Sequence, residues 1–390
     1  MKITPRNAQL YFSSILSLFW IILGLMLGMI TVYLQAHGFS NSEIGWILAA
    51  GNLTSTLLQP ALAAIFERTG QPLRRCIAAC YALIAALAAI VFLIPMPTPA
   101  LLVFLWAMFA LKSSMQSSVN SLVQSFEQVG CPVNFGVARG VGSLVYGVAV
   151  AIAGAALETI SPLMLPAAYI GFVLAFILLL VLPKMDDRPP VRRKTDSHTD
   201  RAALRQPAFI LFLIASSFFS LNAVMNGSFM LQIMQSLGGN SAEYGLATSI
   251  AAWLEFPAML LYSRFCRRFG ENRLLVLSGW AWFAKNGLIL LARSPEAIYA
   301  AQMLQFFSFA LFIPGVVRYI AKILPEDAFL RGQSLYGSAY TAGSVVAVFF
   351  GGVLMDAAGV YNTLLIAQTF SFLGAILLTL SVRLSSSARG

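Results

Sequence analysis

Lys112, Gln116, Asn120 and Gln124 recur every four residues within an apolar stretch, with Ser113, Ser117 and Ser121 one position over. That spacing places the four along one helical face, covering about 18 Å at 1.5 Å per residue. Such a face suits a neutral polyol, which exchanges its water hydrogen bonds for side-chain ones; the plainer alternative is bonding to neighbouring helices. Further candidates for solute contact are Asn52 and Gln59, Asn222 and Asn226, Gln302 and Gln305, and Tyr336 and Tyr340. Trp20 either stacks on a sugar ring or sits at a membrane interface. Glu255 is the one acidic residue placed deep within a span, with Lys285 and Lys112 as the available cations. Desolvation favours the neutral form of a carboxylate and a nearby ammonium favours the charged one. Glu255 and Lys285 are therefore either a proton-coupling pair or a fixed ion pair between two helices.

The elements that must hold these groups follow from composition. The chain has 390 residues, of which 59% are hydrophobic and 10% charged, with a mean hydropathy of +0.80. A soluble domain carries about 25% charged residues, so soluble, disordered and nucleic-acid-binding classes are excluded. At about 20 apolar residues per crossing, the length accommodates about twelve membrane helices. Apolar runs fall near 8–33, 42–65, 76–95, 99–125, 139–160, 163–183, 207–235, 242–264, 273–293, 297–323, 332–357 and 361–382. The first is too long for a signal-peptide core and lacks a small-residue cleavage site, so it reads as a helix.

The formal charge of +10 needs no polyanionic partner. With the N-terminus inside, every Lys and Arg falls on the cytoplasmic side except Arg293 and the two within spans, Lys112 and Lys285. That bias predicts both termini in the cytoplasm of a multi-pass inner-membrane protein. The one long polar segment, 184–206, separates a bundle over 1–183 from a bundle over 207–390; it reads as a solvated linker, with anionic lipid as an alternative contact. Cys76, Cys80, Cys131 and Cys266 make no CxxC or Cys/His cluster, so neither a metal nor a disulfide framework is expected.

The two halves repeat. Asn41-Ser-Glu-Ile-Gly45 corresponds to Asn240-Ser-Ala-Glu-Tyr-Gly245, with Glu43 matching Glu243 and Gly45 matching Gly245 at an offset of 200. Phe66–Gly70 matches Cys266–Gly270 at the same offset, and Gly142-Ser143 and Gly337-Ser338 occupy similar places in helices 5 and 11. Internal repeats of this kind build many secondary transporters. In helix 1, Gly24 and Gly28 form a GxxxG that marks close packing. Pro257 and Pro314 favour local bending.

Ala63–Arg75, with Glu67-Arg68, Gly70 and Arg74-Arg75, resembles the helix 2–3 loop motif of the major facilitator superfamily. It departs from that motif in Ala63 for glycine, Glu67 for aspartate and one extra residue before the basic pair. The segment Asn134–Ser143 is similar to the opening of helix 5 in lactose-permease-like sugar/proton symporters. Glu255-Phe-Pro257 and Arg331–Tyr336 resemble motifs of those permeases and of related sugar exporters. The resemblance implies an all-α fold of twelve transmembrane helices in two pseudo-symmetric bundles around a wet pocket. It implies gating charges at Glu67, Arg68, Arg267 and Arg268, and a sugar-binding role for Arg139. The carboxylate partner of that arginine is replaced by Gln124, with Glu127 one turn on as a substitute. Lys285 stands where the family has a coupling arginine, and Gln305 and Ser308 replace the histidine and glutamate of its proton relay. The galactoside site and relay therefore do not transfer intact, and Glu255 is the main remaining coupling candidate.

The expected function is proton-coupled alternating-access transport of a small polar solute, a sugar or oligosaccharide, by a monomer without cofactors. Efflux of sugars or amphipathic compounds is the first alternative. Carboxylate uptake is another, because Lys112 and Lys285 outnumber the single buried acid. A membrane enzyme or ATP-driven pump is disfavoured: His37 and His198 lie far apart, and Gly136, Gly140 and Gly142 complete no phosphate loop.

Overall fold

The structure, a computed structural model, describes residues 3–157, 165–183 and 201–387. Of the polar segment 184–206, only its last residues fall within this range; the rest, with His198, lies outside it. The chain divides into two compact units, Met1–Lys194 and Thr195–Gly390.

The first unit contains α1 (Pro5–Gly28, continued by a π turn Met29–Tyr33 to Ala36), α2 (Asn41–Thr69) and α3 (Leu73–Leu93). Then follow α4 (Thr98–Gln128), α5 (Phe135–Leu157) and α6 (Leu165–Val181). In the second, a single turn Arg201–Leu204 precedes α7 (Pro207–Ser228, resumed as Met230–Ser236), α8 (Ser241–Phe269) and α9 (Glu271–Leu291). The broken α10 (Pro295–Met303 and Phe309–Ile323) is followed by α11 (326–358) and α12 (360–387), which meet at Gly359 with φ 79°. Among the described residues nine helical segments are long and apolar enough to span a bilayer, one being the joined run Arg331–Ser386. Separating that run at Gly359, and adding the short apolar α6 and the more polar α2, gives twelve. Helices dominate because hydrocarbon offers no partner for backbone N–H and C=O groups, so each span must satisfy them internally.

Local chemistry sets the repeat. Ser40 caps α2 and Asn240 caps α8, and in each case the side chain of the glutamate three residues on accepts a bond from the cap's backbone N–H. The positive-φ glycines Gly38 and Gly70 recur as Gly238 and Gly270, at the same offset of 200. Phe229, which interrupts α7 with φ −111° and ψ 18°, matches the start of the π turn in α1 at Met29.

Helix pairing is also shared. In the first unit α1 lies on α5, α2 on α4 and α3 on α6. Gly24 makes the first approach possible, since a methyl there would meet Tyr146 and Val150 at 3.0 Å, whereas Gly28 faces open space. In the second unit, Ser217 donates to the Ala339 carbonyl (2.8 Å) and Ser220 to that of Tyr340 (2.5 Å), fastening α7 to α11. Gln368 donates to the Phe283 carbonyl (3.0 Å) and Trp280 to Thr379 (3.2 Å), fastening α9 to α12. α8 lies along α10.

Each unit has its own aromatic core. Phe12, Phe126, Tyr81 and Phe176 are fully buried in the first, with rings 5.2 Å apart for Phe12–Phe126 and 4.5 Å for Tyr81–Phe176. Phe212, Phe219, Trp282 and Phe312 centre the second. Leu10, Leu57, Leu93, Ile152, Leu260 and Leu291 stand exposed, as lipid-facing positions do.

Candidate solute-binding and coupling sites

In the first unit, the polar face of α4 meets the aromatic pair Phe19–Trp20 of α1. Lys112, near the middle of α4, is 1% exposed, and its Nζ lies 4.0 Å from the Phe19 ring centroid. The Arg139 guanidinium of α5 lies 4.0 Å from the Trp20 ring and donates to Ser143 Oγ at 2.5 Å. Tyr146 meets Trp20 edge-on at 6.4 Å, and the Trp20 Nε1 is buried with no acceptor among the described residues. The ring face expected to receive a sugar is therefore covered by Arg139. Gly142 permits this closeness: a methyl there would stand 3.0 Å from Trp20 Cδ1.

Further along α4, Gln116 donates to Asn120 Oδ1 at 3.4 Å, and both are half-buried. The side chain of Gln124 lies outside the described residues. Asn52 and Gln59 of α2 are half-buried. The Asn52 carbonyl accepts from Ser55 (2.8 Å) and Thr56 (2.9 Å).

The second unit gathers Glu255, Lys285 and Gln305 from α8, α9 and the break in α10. Lys285 Nζ donates to Gln305 Oε1 at 2.6 Å, and Gln305 Nε2 donates to Glu255 Oε1 at 3.2 Å. An amide is a neutral group able to serve both neighbours, since it accepts at one end and donates at the other. Gln305, expected as a solute contact, is thus the bridge between the two coupling candidates. It occupies a 3₁₀ turn, Leu304–Phe306, between the two halves of α10. The break lies upstream of Pro314, the residue expected to bend this helix. Beside it, Gln302 Oε1 and Ser308 Oγ are buried without partners among the described residues.

Asn222 and Asn226 face into the second unit. Asn222 donates to the Ala367 carbonyl (2.9 Å), and Asn226 donates to Asn286 Oδ1 (2.6 Å). Asn286 in turn donates to the Trp282 carbonyl (2.8 Å). This amide network joins α7, α9 and α12, which makes it a fastening within the bundle. Tyr336 stacks on Phe212 at 5.9 Å and lies 6.0 Å from Tyr340.

The gating candidates Glu67 and Arg68 end α2 and Arg267 and Arg268 end α8; all four are exposed. The bonds that tie these turns to other helices belong to Arg74, quoted so far only as half of a basic pair, and to Glu271 and Asn272, which sequence reasoning did not single out. Arg74 is buried and donates to the carbonyls of Leu180 (3.1 Å) and Pro183 (2.7 Å), closing the end of α6. Glu271, which follows the positive-φ Gly270, pairs with Arg318 at 2.8 Å, and Lys322 donates to Asn272 at 3.1 Å. The repeat holds the signal for Glu271, since it occupies the position of Gln71 in the first half.

No His/Cys/Asp/Glu cluster suited to a metal occurs among the described residues. Spanning helices in two repeated units, with polar and charged groups held at mid-helix, define a multi-pass membrane transporter. Residues 10–366 match the model of the MFS_1 like family, and the chain belongs to that family, within the major facilitator superfamily. It is 26% identical over 377 residues to the maltose permease of Geobacillus stearothermophilus, spanning 94% of this chain and 92% of that one. It is 23% identical over 195 residues to sugar efflux transporter C of Escherichia coli (strain K12), spanning 49% of this chain and 48% of that one. A solved structure of a point mutant of the nucleoside transporter NupG matches with a TM-score of 0.80 at 14% identity, over 96% of this chain and 99% of the other. At that identity the likeness establishes the fold alone.

Proposed function

We propose that the chain moves a small polar solute of the sugar class across the inner membrane by proton-coupled alternating access. The observation that carries the coupling is the hydrogen-bonded series Lys285–Gln305–Glu255. Glu255 is the proton-carrying group in this reading. Gln305 has no proton to exchange near neutral pH, so it sets the geometry between carboxylate and ammonium without relaying charge. A change in α10 at its 3₁₀ turn would shift the amide, and with it the relative stability of charged and neutral Glu255. The maltose permease and sugar efflux relatives support a sugar, and the half-buried amides Gln116, Asn120 and Asn52 provide donors and acceptors for hydroxyl groups. Both termini lie in the cytoplasm in this reading, and a monomer suffices.

The test is sugar accumulation in proteoliposomes under an imposed pH gradient. Glu255→Gln should abolish accumulation while sparing solute exchange at equal pH. Normal accumulation by that variant would remove Glu255 from the coupling role.

A further inference from the structure

Lys112 is among the largest fully buried side chains, yet it has no hydrogen-bond or ion-pair partner among the described residues. Its ammonium lies against the Phe19 ring, 4.0 Å from the centroid. A cation–π contact recovers only a fraction of the hydration that an ammonium loses on burial. The described carboxylates of the first unit cannot make up the rest. Glu43 is held by the capping box of α2, Glu67 is exposed in the last turn of α2, and Glu127 is exposed at the end of α4. Glu127 lies fifteen residues along the helix from Lys112, or roughly 22 Å at 1.5 Å per residue.

The surroundings are one-sided in the same sense. Phe19 and Trp20 are neighbours in sequence with rings 5.8 Å apart, and each ring carries a cation, Lys112 on the first and Arg139 on the second. The Trp20 indole N–H adds a buried donor that lacks an acceptor among the described residues. The Lys112 ammonium and the Trp20 N–H are thus donors beside this aromatic pair that have no acceptor among the described residues. A group that brings negative oxygen atoms would complete them, and a single ammonium matches a single negative charge.

We propose that Lys112 docks the carboxylate of the transported solute, so that the substrate is an acidic sugar of the uronate or aldonate class and not a neutral one. The assignment rests on the transporter reading above and narrows it. Arg139 and Trp20 then act on the remainder of the solute, beside the carboxylate.

The experiment is equilibrium binding of radiolabelled pairs, D-glucuronate against D-glucose and D-galacturonate against D-galactose, to the purified full-length chain, with D-glucose 6-phosphate as a further probe. The wild-type chain should bind the acid about tenfold or more tightly than its neutral partner, the size expected of one charge-assisted contact. Lys112→Gln should erase that preference, whereas Lys112→Arg should retain most of it. Lys112→Met guards against a folding defect: without solute it should melt above the wild type, because an uncompensated ammonium has been removed. A lower melting temperature for Lys112→Met would make the lysine a structural group and overturn the proposal. Neutral sugars bound and acids refused would overturn it while leaving the transporter of sugars intact. Preference for the phosphate over the uronate would overturn the carboxylate assignment. Failure of the wild type to bind any of the five probes would overturn both this proposal and the sugar reading beneath it.

Discussion

Replacing Gly343 with alanine sets a methyl group against the Ser217 backbone, 3.0 Å from the carbonyl carbon and 3.1 Å from Cα, with the carbonyl oxygen nearer still. Backbone atoms in a helix cannot swing aside, so α7 and α11 must separate by about 1 Å to regain ordinary contact. That separation stretches the bonds from Ser217 to Ala339 and from Ser220 to Tyr340, each worth about 0.6 kcal/mol between membrane helices. Overpacking adds about 1–3 kcal/mol, and the better helix propensity of alanine returns about 1 kcal/mol. The net loss is about 2 kcal/mol. Gly337, nearly two turns earlier on α11, has nothing within 4 Å of an added methyl, so Gly337→Ala should be neutral or stabilising by up to about 1 kcal/mol. Thermal unfolding of the two variants in one detergent measures the difference directly. Equal melting temperatures, or a Gly343→Ala variant that melts at or above the wild type, would refute the close contact of α7 and α11.

Two further outcomes separate residues that look alike in sequence or role. Arg74→Ala should destabilise the chain by about 3 kcal/mol through the loss of two bonds from a charged donor, while its exposed neighbour Arg75→Ala should stay within about 0.5 kcal/mol of the wild type; melting curves decide. Gln305→Leu breaks both bridging bonds and should lower pH-driven accumulation about tenfold or more, the equivalent of one bond to a charged group, with exchange at equal pH retained; unchanged accumulation would show that the bridge is dispensable.

The architecture is readable in the sequence because lipid imposes a coarse rule. A span needs a long apolar run, so twelve such runs fix the helices to within a few residues. The repeat is readable because the caps of α2 and α8 need particular side chains, and Glu43 and Glu243 supply them at one spacing. Contacts between distant segments leave no such trace. Gln305 reaches Glu255 and Lys285 across 50 and 20 residues; its spacing along the helix does not separate a bridge from a solute contact, and the one pointer to coupling is the resemblance that sets it at the position of a relay histidine. Gly24 and Gly28 share a motif, yet only the first meets another helix. Asn222 and Asn226 lie one turn apart on α7, as a solute-facing pair would, but Asn286 and the Ala367 carbonyl occupy them. Arg74 and Arg75 form one basic pair in sequence, and only the fold separates an anchor from an exposed charge. The break in α10 is hidden because proline is the visible signal, while the helix parts upstream of it.

Gly38, Gly70, Gly238 and Gly270 hold backbone conformations that other residues adopt only under strain, at matching places in both halves. The bend that opens each stretch has nearly the same φ, 80° at Gly38 and 81° at Gly238, whereas the closing glycines part in ψ, 18° at Gly70 and 148° at Gly270, so α3 starts only at Leu73 and α9 already at Glu271. A chimera with α8 in place of α2 would inherit its entry corner unchanged and would have to rebuild its exit, so the divergence between the halves reaches the main chain at one end only.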